Sequence, residues 1–198
     1  YILVATGSRP RRPTDIPCDG WRVIDSDHIM RLEHVPRELV IYGAGIIGCE
    51  YACIFGALGI DVTVVDARER ILQYLDVEIG SELQRSMESL GVKFVLNAPL
   101  KSVAVDGPRT KAICGDNTID TEVLFFCAGR VPNSDRIGLE RLGVEIDERG
   151  TVIVNDHFLT KLAKVYAAGD LIGVPALAAT SSQQGRHVAC HAFGVHMG

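Results

Sequence analysis

A glycine-rich turn between an apolar strand and a helix constrains the fold of this chain more than any other feature. The strand is predicted over Leu39–Tyr42, and the turn follows the pattern G-x-G-x-x-G with Gly43, Ala44, Gly45, Ile46, Ile47 and Gly48. The helix is predicted over residues 46–58, and a second apolar strand over residues 62–65 ends in Asp66. In such a unit the first glycine makes the tight turn, the second lets a pyrophosphate approach the backbone, and the third lets helix and strand pack closely. The pattern therefore predicts a dinucleotide-binding βαβ unit, with the phosphates at the positive end of the helix.

The residues after the second strand bear on which dinucleotide binds. Asp66 can accept hydrogen bonds from a ribose 2′-hydroxyl, which favours NAD. Arg68 follows two positions later, and an arginine near the ribose attracts a 2′-phosphate, which favours NADP. The pair fits a site that accepts both nucleotides, although Arg68 and Arg70 are equally compatible with a solvated helix start. For Glu50, early in the helix, the sequence leaves two roles open. The residue is either an ordinary carboxylate of the helix or a group that faces a nicotinamide.

The remaining patterns are typical of an α/β protein. A second helix is predicted over residues 77–90 and a third strand over residues 92–96, so the alternation implies right-handed crossovers and a parallel sheet. Residues 100–126 predict a β-meander that includes a strand over residues 123–126. The other predicted elements are a short helix over residues 25–32 with Ser26 as N-cap, strands over residues 1–5, 152–154 and 165–167, and a helix over residues 177–193.

Composition excludes several classes of protein. The 198 residues are 47% hydrophobic, and 20 Lys+Arg against 25 Asp+Glu leave a net charge of −5. This balance argues against a nucleic acid or an anionic membrane as partner, and no apolar stretch reaches the roughly 18 residues of a membrane span. The six cysteines form no C-x-x-C pair, which favours reduced thiols in a cytoplasmic protein. Cys49 and Cys53 share a helix face but have no further metal ligand nearby in sequence, so no metal is expected.

Four separated motifs carry a resemblance to a known family. In order, they are Ala5-Thr6-Gly7-Ser8-Arg9-Pro10, the stretch from Gly43 to Glu50, Cys127-Ala128-Gly129-Arg130-Val131-Pro132-Asn133, and Tyr166-Ala167-Ala168-Gly169-Asp170. Together they resemble the flavoprotein pyridine nucleotide-disulfide oxidoreductases, which implies a Rossmann-like FAD/NAD(P)-binding fold. Further stretches, such as residues 41–52 and 169–173, are similar to the transhydrogenases of that family, in which FAD carries hydride between NADPH and NAD.

The resemblance implies a role for each motif. The residues expected at the pyridine nucleotide, besides the glycine loop, are Asp66, Arg68, Leu100, Ala128, Gly129 and Arg130. The residues expected at FAD are Ala5, Thr6, Gly7, Gly169, Asp170, Leu177 and Ala178, with Asp170 on the ribityl chain. Glu50 is expected near the nicotinamide and the flavin as the catalytic residue.

The same resemblance implies a domain organisation. Residues 23–128 are expected to form a complete NAD(P)-binding domain, and residues 1–22 and 129–198 to be parts of an FAD-binding domain. Because the sequence starts in mid-strand and shows neither the family's first G-x-G-x-x-G nor its dimerisation domain, we expect an internal section of a longer, homodimeric protein. His187, His191 and His196 are then expected on the surface or on a helix face rather than as catalytic bases.

Two other functions remain open at this point. One is a disulfide reductase similar to lipoamide dehydrogenase, which would carry a C-x-x-x-x-C pair upstream of this sequence. The other is a non-catalytic module that binds NAD(H) without turnover.

Overall fold

The computed structural model describes residues 1–195 and divides the chain into two compact units. One unit, here called the middle unit, is Pro10–Gly129, and the other, the flanking unit, joins Tyr1–Arg9 to the chain from Arg130 onward. Within the middle unit, Arg12 pairs with Asp25. His196 lies outside the described residues.

Twelve strands and three α-helices can be named among residues 1–195. The strands are β1 (Ile2–Val4), β2 (Ser8–Pro10), β3 (Val23–Ile24), β4 (Glu38–Tyr42), β5 (Asp61–Val65), β6 (Lys93–Val95), β7 (Leu100–Asp106), β8 (Arg109–Cys114), β9 (Asn117–Thr121), β10 (Val123–Phe126), β11 (Arg130–Pro132) and β12 (Val165–Ala167). The helices are α1 (Ile46–Ala57), α2 (Val77–Ser89) and α3 (Ala178–Phe193).

The middle unit is built on a five-stranded parallel sheet in the order β3-β10-β4-β5-β6. Its central strands are apolar on both faces, which is typical of a sheet that is covered on both sides. Ile41, Val64 and Phe125 pack on one face beneath α1 and α2. Val40 and Leu124 pack on the other face beneath the antiparallel sheet β7-β8-β9. The prediction of a parallel sheet with helical crossovers is confirmed.

The predicted meander is right for residues 100–121 and wrong for residues 123–126. Those four residues, all buried, form β10 and pair in parallel with both β3 and β4. The reason is burial, because a strand with no polar face gains most between two others in the centre of a sheet.

Two further sequence predictions are wrong. Residues 25–32 form only a 3₁₀ turn over Ile29–Arg31, with His28 rather than Ser26 at its N-cap. The Asp25 side chain explains this, since it accepts the Asp27 amide at 2.9 Å and holds the chain in a turn. The predicted strand over residues 152–154 is reduced to one bridge between Val152 and Ile146.

The flanking unit contains two short strand pairs and α3. β1 pairs in parallel with β12, and β2 pairs with β11. Tyr166 of β12 packs on Val188 of α3, and His187 and His191 lie on this helix, as expected, with His191 exposed. Among residues 1–195, no helix combines the length and apolar character needed to cross a membrane.

The placement of β10 predicts a large effect of Leu124→Ala on stability. Leu124 is fully buried, and we expect its truncation to lower the free energy of unfolding by about 2–5 kcal/mol. The matched control is Leu58→Ala in the same unit, because Leu58 is 67% exposed and its loss should cost about 0.5 kcal/mol or less. Urea unfolding followed by circular dichroism measures both, and equal costs would contradict the central position of β10.

Candidate functional site

The glycine loop lies at the carboxyl end of β4, where the backbone turns sharply into α1. Gly43 has a φ of +124°, and a Cβ there would lie 2.9 Å from the carbonyl of Cys127. A Cβ on Gly48 would lie 1.8 Å from the Gly43 carbonyl oxygen. The fold itself therefore requires the first and third glycines of the motif.

Gly45 differs from the other two, because nothing lies within 4 Å of the position that its Cβ would take. Its φ of −84° and ψ of −170° suit any residue. A glycine here leaves open space for a group that approaches the backbone closely. α1 begins at Ile46 with no side-chain cap, and the first amides of a helix lack partners within the helix. These amides and the helix dipole can receive a diphosphate.

Asp66 ends the next strand, and its nearly buried carboxylate holds the glycine loop. Oδ2 accepts the Ala44 amide at 2.6 Å, and Oδ1 accepts the Arg68 amide at 2.8 Å. Burial by itself would raise the pKa of Asp66, but hydrogen bonds from the Arg68 side chain and from these amides outweigh it and lower the pKa. The carboxylate is therefore ionised at neutral pH and ties the loop to the end of β5.

Arg68 already uses both oxygens of Asp66. Its Nε donates to Oδ1 at 2.9 Å and its Nη2 donates to Oδ2 at 2.6 Å. A ribose hydroxyl that binds Asp66 must therefore replace a bond from Arg68, which is 42% exposed and has room to move into solvent. A 2′-phosphate would instead attract the guanidinium. The pair can thus respond to both kinds of ribose.

A cavity of about 240 Å³ brings together Leu100 and Ala128, which are far apart in sequence. Tyr42, the last residue of β4, also lines it, and the Leu100 amide donates to the Tyr42 hydroxyl at 3.0 Å. The Tyr42 ring stacks on Phe126 with centroids 5.6 Å apart. Charged and polar residues also line the cavity: Arg11, Asp15, Lys101 and Ser102. Rings and cations together suit a flat group that carries negative charge.

The remaining residues expected at the pyridine nucleotide are Glu50, Gly129 and Arg130. Glu50 is exposed on α1. Gly129 has a φ of +113°, and its carbonyl accepts the Arg11 amide at 3.1 Å. Arg130 belongs to the flanking unit, where its Nε and Nη2 donate to the hydroxyl and the carbonyl of Ser8, each at 2.8 Å.

In the flanking unit, Ser8 joins residues expected at FAD. Its hydroxyl donates to Oδ2 of Asp170 at 2.6 Å while it accepts the bond from Arg130. Asp170 stands just after β12, behind Gly169, whose φ is +78°. The resulting chain from Arg130 through Ser8 to Asp170 fixes the direction of the carboxylate.

The other residues expected at FAD lie between β1 and β2 or at the start of α3. Thr6 Oγ1 donates to the Asn133 carbonyl at 2.8 Å, and Asn133 Nδ2 donates back to the Thr6 carbonyl at 2.9 Å. Ala5 and Gly7 flank Thr6 between β1 and β2, and Gly7 has a φ of +69°. Leu177 is the N-cap position of α3, which begins at Ala178 without a side-chain cap.

Sequence reasoning did not single out Tyr42, Ser8 or Gln184 as site residues. Gln184 on α3 accepts the Gly169 amide at 2.7 Å through Oε1. Tyr42 could have been found from the sequence, since it immediately precedes the glycine loop. Ser8 stands in the first family motif, but nothing local pointed to Asp170 as its partner, and nothing local paired Gln184 with Gly169.

The chain matches a family model described as pyridine nucleotide-disulphide oxidoreductase over residues 1–185. It is similar to the soluble pyridine nucleotide transhydrogenase of Mycobacterium bovis (strain BCG / Pasteur 1173P2), with 43% identity over 195 residues, 98% of this chain and 42% of the relative. It is also similar to that of Ectopseudomonas mendocina (strain ymp), with 41% identity over 189 residues, 95% of this chain and 41% of the relative. The chain thus spans about two fifths of the length of the curated relatives that it matches.

Solved structures show the same fold. The crystal structure of LpdA from Mycobacterium tuberculosis has a TM-score of 0.92 at 31% identity and covers 99% of this chain and 43% of its own. The HOCl-induced flavoprotein disulfide reductase RclA from Escherichia coli has a TM-score of 0.90 at 26% identity and covers 100% of this chain and 46% of its own. The α/β fold expected from the sequence is confirmed.

Gly48 and Gly45 of the loop should respond differently to a methyl group. We expect Gly48→Ala to lower the free energy of unfolding by about 2 kcal/mol or more, because its Cβ meets a backbone oxygen. Gly45→Ala should cost less than about 1 kcal/mol, because its Cβ meets only open space. Urea unfolding of the two variants checks this, and similar losses would show that the loop is not packed as described.

The Asp66 carboxylate should give a pH-dependent contribution to stability. Because folding lowers its pKa, the contribution is complete above the unfolded value of about 3.9 and is lost as the pH falls through the lower folded value. We expect Asp66→Asn to cost about 1–3 kcal/mol at neutral pH and progressively less below about pH 4.

Urea unfolding at a series of pH values gives the difference between the wild type and Asp66→Asn. Asp61→Asn is the control on the same strand, since Asp61 forms an exposed pair with Lys93 and should contribute less than about 1 kcal/mol. A difference for Asp66→Asn that stays constant down to about pH 2 would contradict the ionised, hydrogen-bonded carboxylate.

Proposed function

Because this chain belongs to the pyridine nucleotide-disulphide oxidoreductase family, we propose that the full-length protein transfers hydride between NADPH and NAD. The observation that carries the proposal is the Asp66–Arg68 pair, in which a carboxylate that can accept a ribose hydroxyl holds an arginine that can bind a 2′-phosphate. An enzyme that accepts both nucleotides in one site can use one group for each. The transhydrogenase relatives at 43% and 41% identity support the same function.

In this proposal the middle unit binds the pyridine nucleotide, NAD or NADP. The open space at Gly45 and the uncapped start of α1 fit a diphosphate. The cavity at Leu100 and Ala128 fits the adenine side, since it offers the Tyr42 ring and neighbouring cations. Glu50, exposed on α1, is proposed as the residue near the nicotinamide.

The flanking unit would contribute part of an FAD site. When bound, FAD supplies the redox chemistry, taking hydride from one nucleotide and returning it to another. The ribityl chain of FAD carries hydroxyls, and Asp170, held by Ser8, offers a carboxylate that can accept hydrogen bonds from them. The uncapped start of α3 at Leu177 and Ala178 offers free amides to the flavin ring. The domain boundaries expected from the sequence are proposed as well, with residues 1–22 and 129–198 as FAD-domain segments and residues 23–128 as the NAD(P) domain. In the structure, residues 10–22 pack with the middle unit.

We also propose that the full-length protein acts in the cytoplasm as a homodimer. All six cysteines are free thiols, which fits a reducing compartment. Sedimentation of the full-length protein tests the dimer, and a monomer at working concentration would contradict it.

A disulfide reductase is the second candidate, and the likeness to the flavoprotein disulfide reductase RclA favours it. The deciding experiment uses the full-length protein loaded with FAD. Reduction of thio-NAD by NADPH, followed through the absorbance of the reduced analogue, supports the transhydrogenase. Reduction of lipoamide through an upstream cysteine pair, without transfer to thio-NAD, supports the reductase. Nucleotide binding without either reaction would identify a non-catalytic module.

Arg68→Ala should separate the two nucleotides. We expect the variant to lose at least about tenfold in affinity for NADPH, because a charge-assisted bond to the 2′-phosphate is removed. Affinity for NADH should change by less than about threefold, since the ribose hydroxyl needs only Asp66. Titration of both nucleotides on the full-length protein measures the ratio.

Arg70→Ala is the matched control, because Arg70 is close in sequence but lies near Glu69 rather than Asp66. It should leave both affinities nearly unchanged. An unchanged NADPH affinity in Arg68→Ala would overturn the proposed role of Arg68 while leaving the nucleotide site at the glycine loop intact.

A further inference from the structure

A cluster of three potential metal ligands lies at the carboxyl end of β3, outside the glycine loop. Cys18 Sγ, a carboxylate oxygen of Asp25 and a ring nitrogen of His28 all lie within 4.8 Å of one another. Within residues 1–195 no other cysteine, histidine or acidic side chains form such a group of three. The proposed hydride transfer makes no use of these residues.

The backbone around the cluster is held by hydrogen bonds, so the ligands are already gathered. The Asp19 carboxylate accepts three successive amides at 2.8–2.9 Å, those of Trp21, Arg22 and Val23. Gly20 makes room for the imidazole, because a Cβ there would lie 2.9 Å from His28 Cδ2. The His28 amide donates to the Asp25 carbonyl at 3.0 Å, which keeps both residues in one turn.

Asp25 is the centre of the cluster, with its side chain only 1% exposed. Its Oδ1 lies 2.7 Å from His28 Nδ1, and its Oδ2 lies 4.0 Å from Cys18 Sγ. Arg12 Nε donates to Oδ2 from the outer side, and carboxylates that bind metals commonly have such a second partner. The two oxygens of Asp25 thus face the other two ligands, Oδ1 towards His28 and Oδ2 towards Cys18.

The charges around Asp25 also favour a divalent cation. Asp27 lies 3.5 Å from Arg12, which is half exposed and sits between the two carboxylates. With Cys18 as thiolate, the two carboxylates and Arg12 leave two net negative charges, which one divalent ion neutralises.

We infer that Cys18, Asp25 and His28 form a binding site for a divalent transition metal ion, with Zn²⁺ as the best match. Sulfur, nitrogen and oxygen ligands at about 2.3, 2.0 and 2.0 Å are typical of Zn²⁺. Tetrahedral ligands at those lengths are about 3.3–3.6 Å apart, and the present separations of 2.7 and 4.0 Å lie on either side of that range. The His28–Asp25 hydrogen bond gives way to two metal bonds, the Cys18 proton passes to solvent, and water is the fourth ligand.

Titration of the purified, reduced chain with Co²⁺ tests the site, because four-coordinate Co²⁺ bound to a thiolate has visible bands and a near-ultraviolet charge-transfer band. We expect one Co²⁺ per chain, displaced by Zn²⁺. Cys18→Ser should abolish the charge-transfer band, and His28→Gln should lower the affinity at least tenfold. Both side chains are partly exposed, so these variants should fold, and circular dichroism checks this.

Cys53→Ser is the matched control, since Cys53 is also a partly exposed free thiol of the middle unit. Its Co²⁺ spectrum should equal that of the wild type. The inference is overturned if no four-coordinate spectrum appears below about 1 mM Co²⁺, or if the charge-transfer band survives in Cys18→Ser. Should Cys18→Ser fail to fold, an unchanged affinity in His28→Gln would overturn it equally.

Discussion

The buried Asp66 carboxylate is the interaction on which the candidate nucleotide site depends. Removing an ionised group from water is costly unless hydrogen bonds replace the lost hydration. Here the amides of Ala44 and Arg68 and the Arg68 guanidinium supply four of them. One of these bonds anchors the glycine loop, so the loop has its shape before any nucleotide arrives. The others hold the Arg68 guanidinium against the carboxylate. The group that can bind a 2′-phosphate therefore rests on the group that can bind a 2′-hydroxyl.

The shape of the loop depends in turn on β10. The Cys127 amide donates to the Tyr42 carbonyl at 2.9 Å, and the Cys127 backbone lies where a side chain on Gly43 would have to go. Cys127 itself contributes packing rather than redox chemistry, because burial raises the pKa of its thiol far above the ordinary value and only the thiolate is reactive. The buried strand thus explains both the first glycine of the motif and the position of Ala128 beside Leu100.

In the flanking unit, side chains hold the Asp170 carboxylate in place. Asp170 and Arg130 come from separate parts of the sequence, and Ser8 joins them by accepting one hydrogen bond and donating another. The Gln184 side chain satisfies the Gly169 amide in the same way. A carboxylate that accepts a bond from a hydroxyl, itself fixed by an arginine, keeps one direction, which a site that must orient a cofactor requires.

The sequence by itself determined the features that depend on short spacing. The order of strand, glycine loop, helix and strand predicted the βαβ unit, and motif order indicated the family, because a turn or a strand end is read from a few neighbouring residues. Only the tertiary structure decided that residues 123–126 enter the parallel sheet, since that choice depends on how much apolar surface the neighbouring strands can cover. Only the structure paired Ser8 with Asp170, and gathered Cys18, Asp25 and His28. Such contacts depend on where the connections between strands bring distant parts of the chain together. The spacing of neighbouring residues does not determine this.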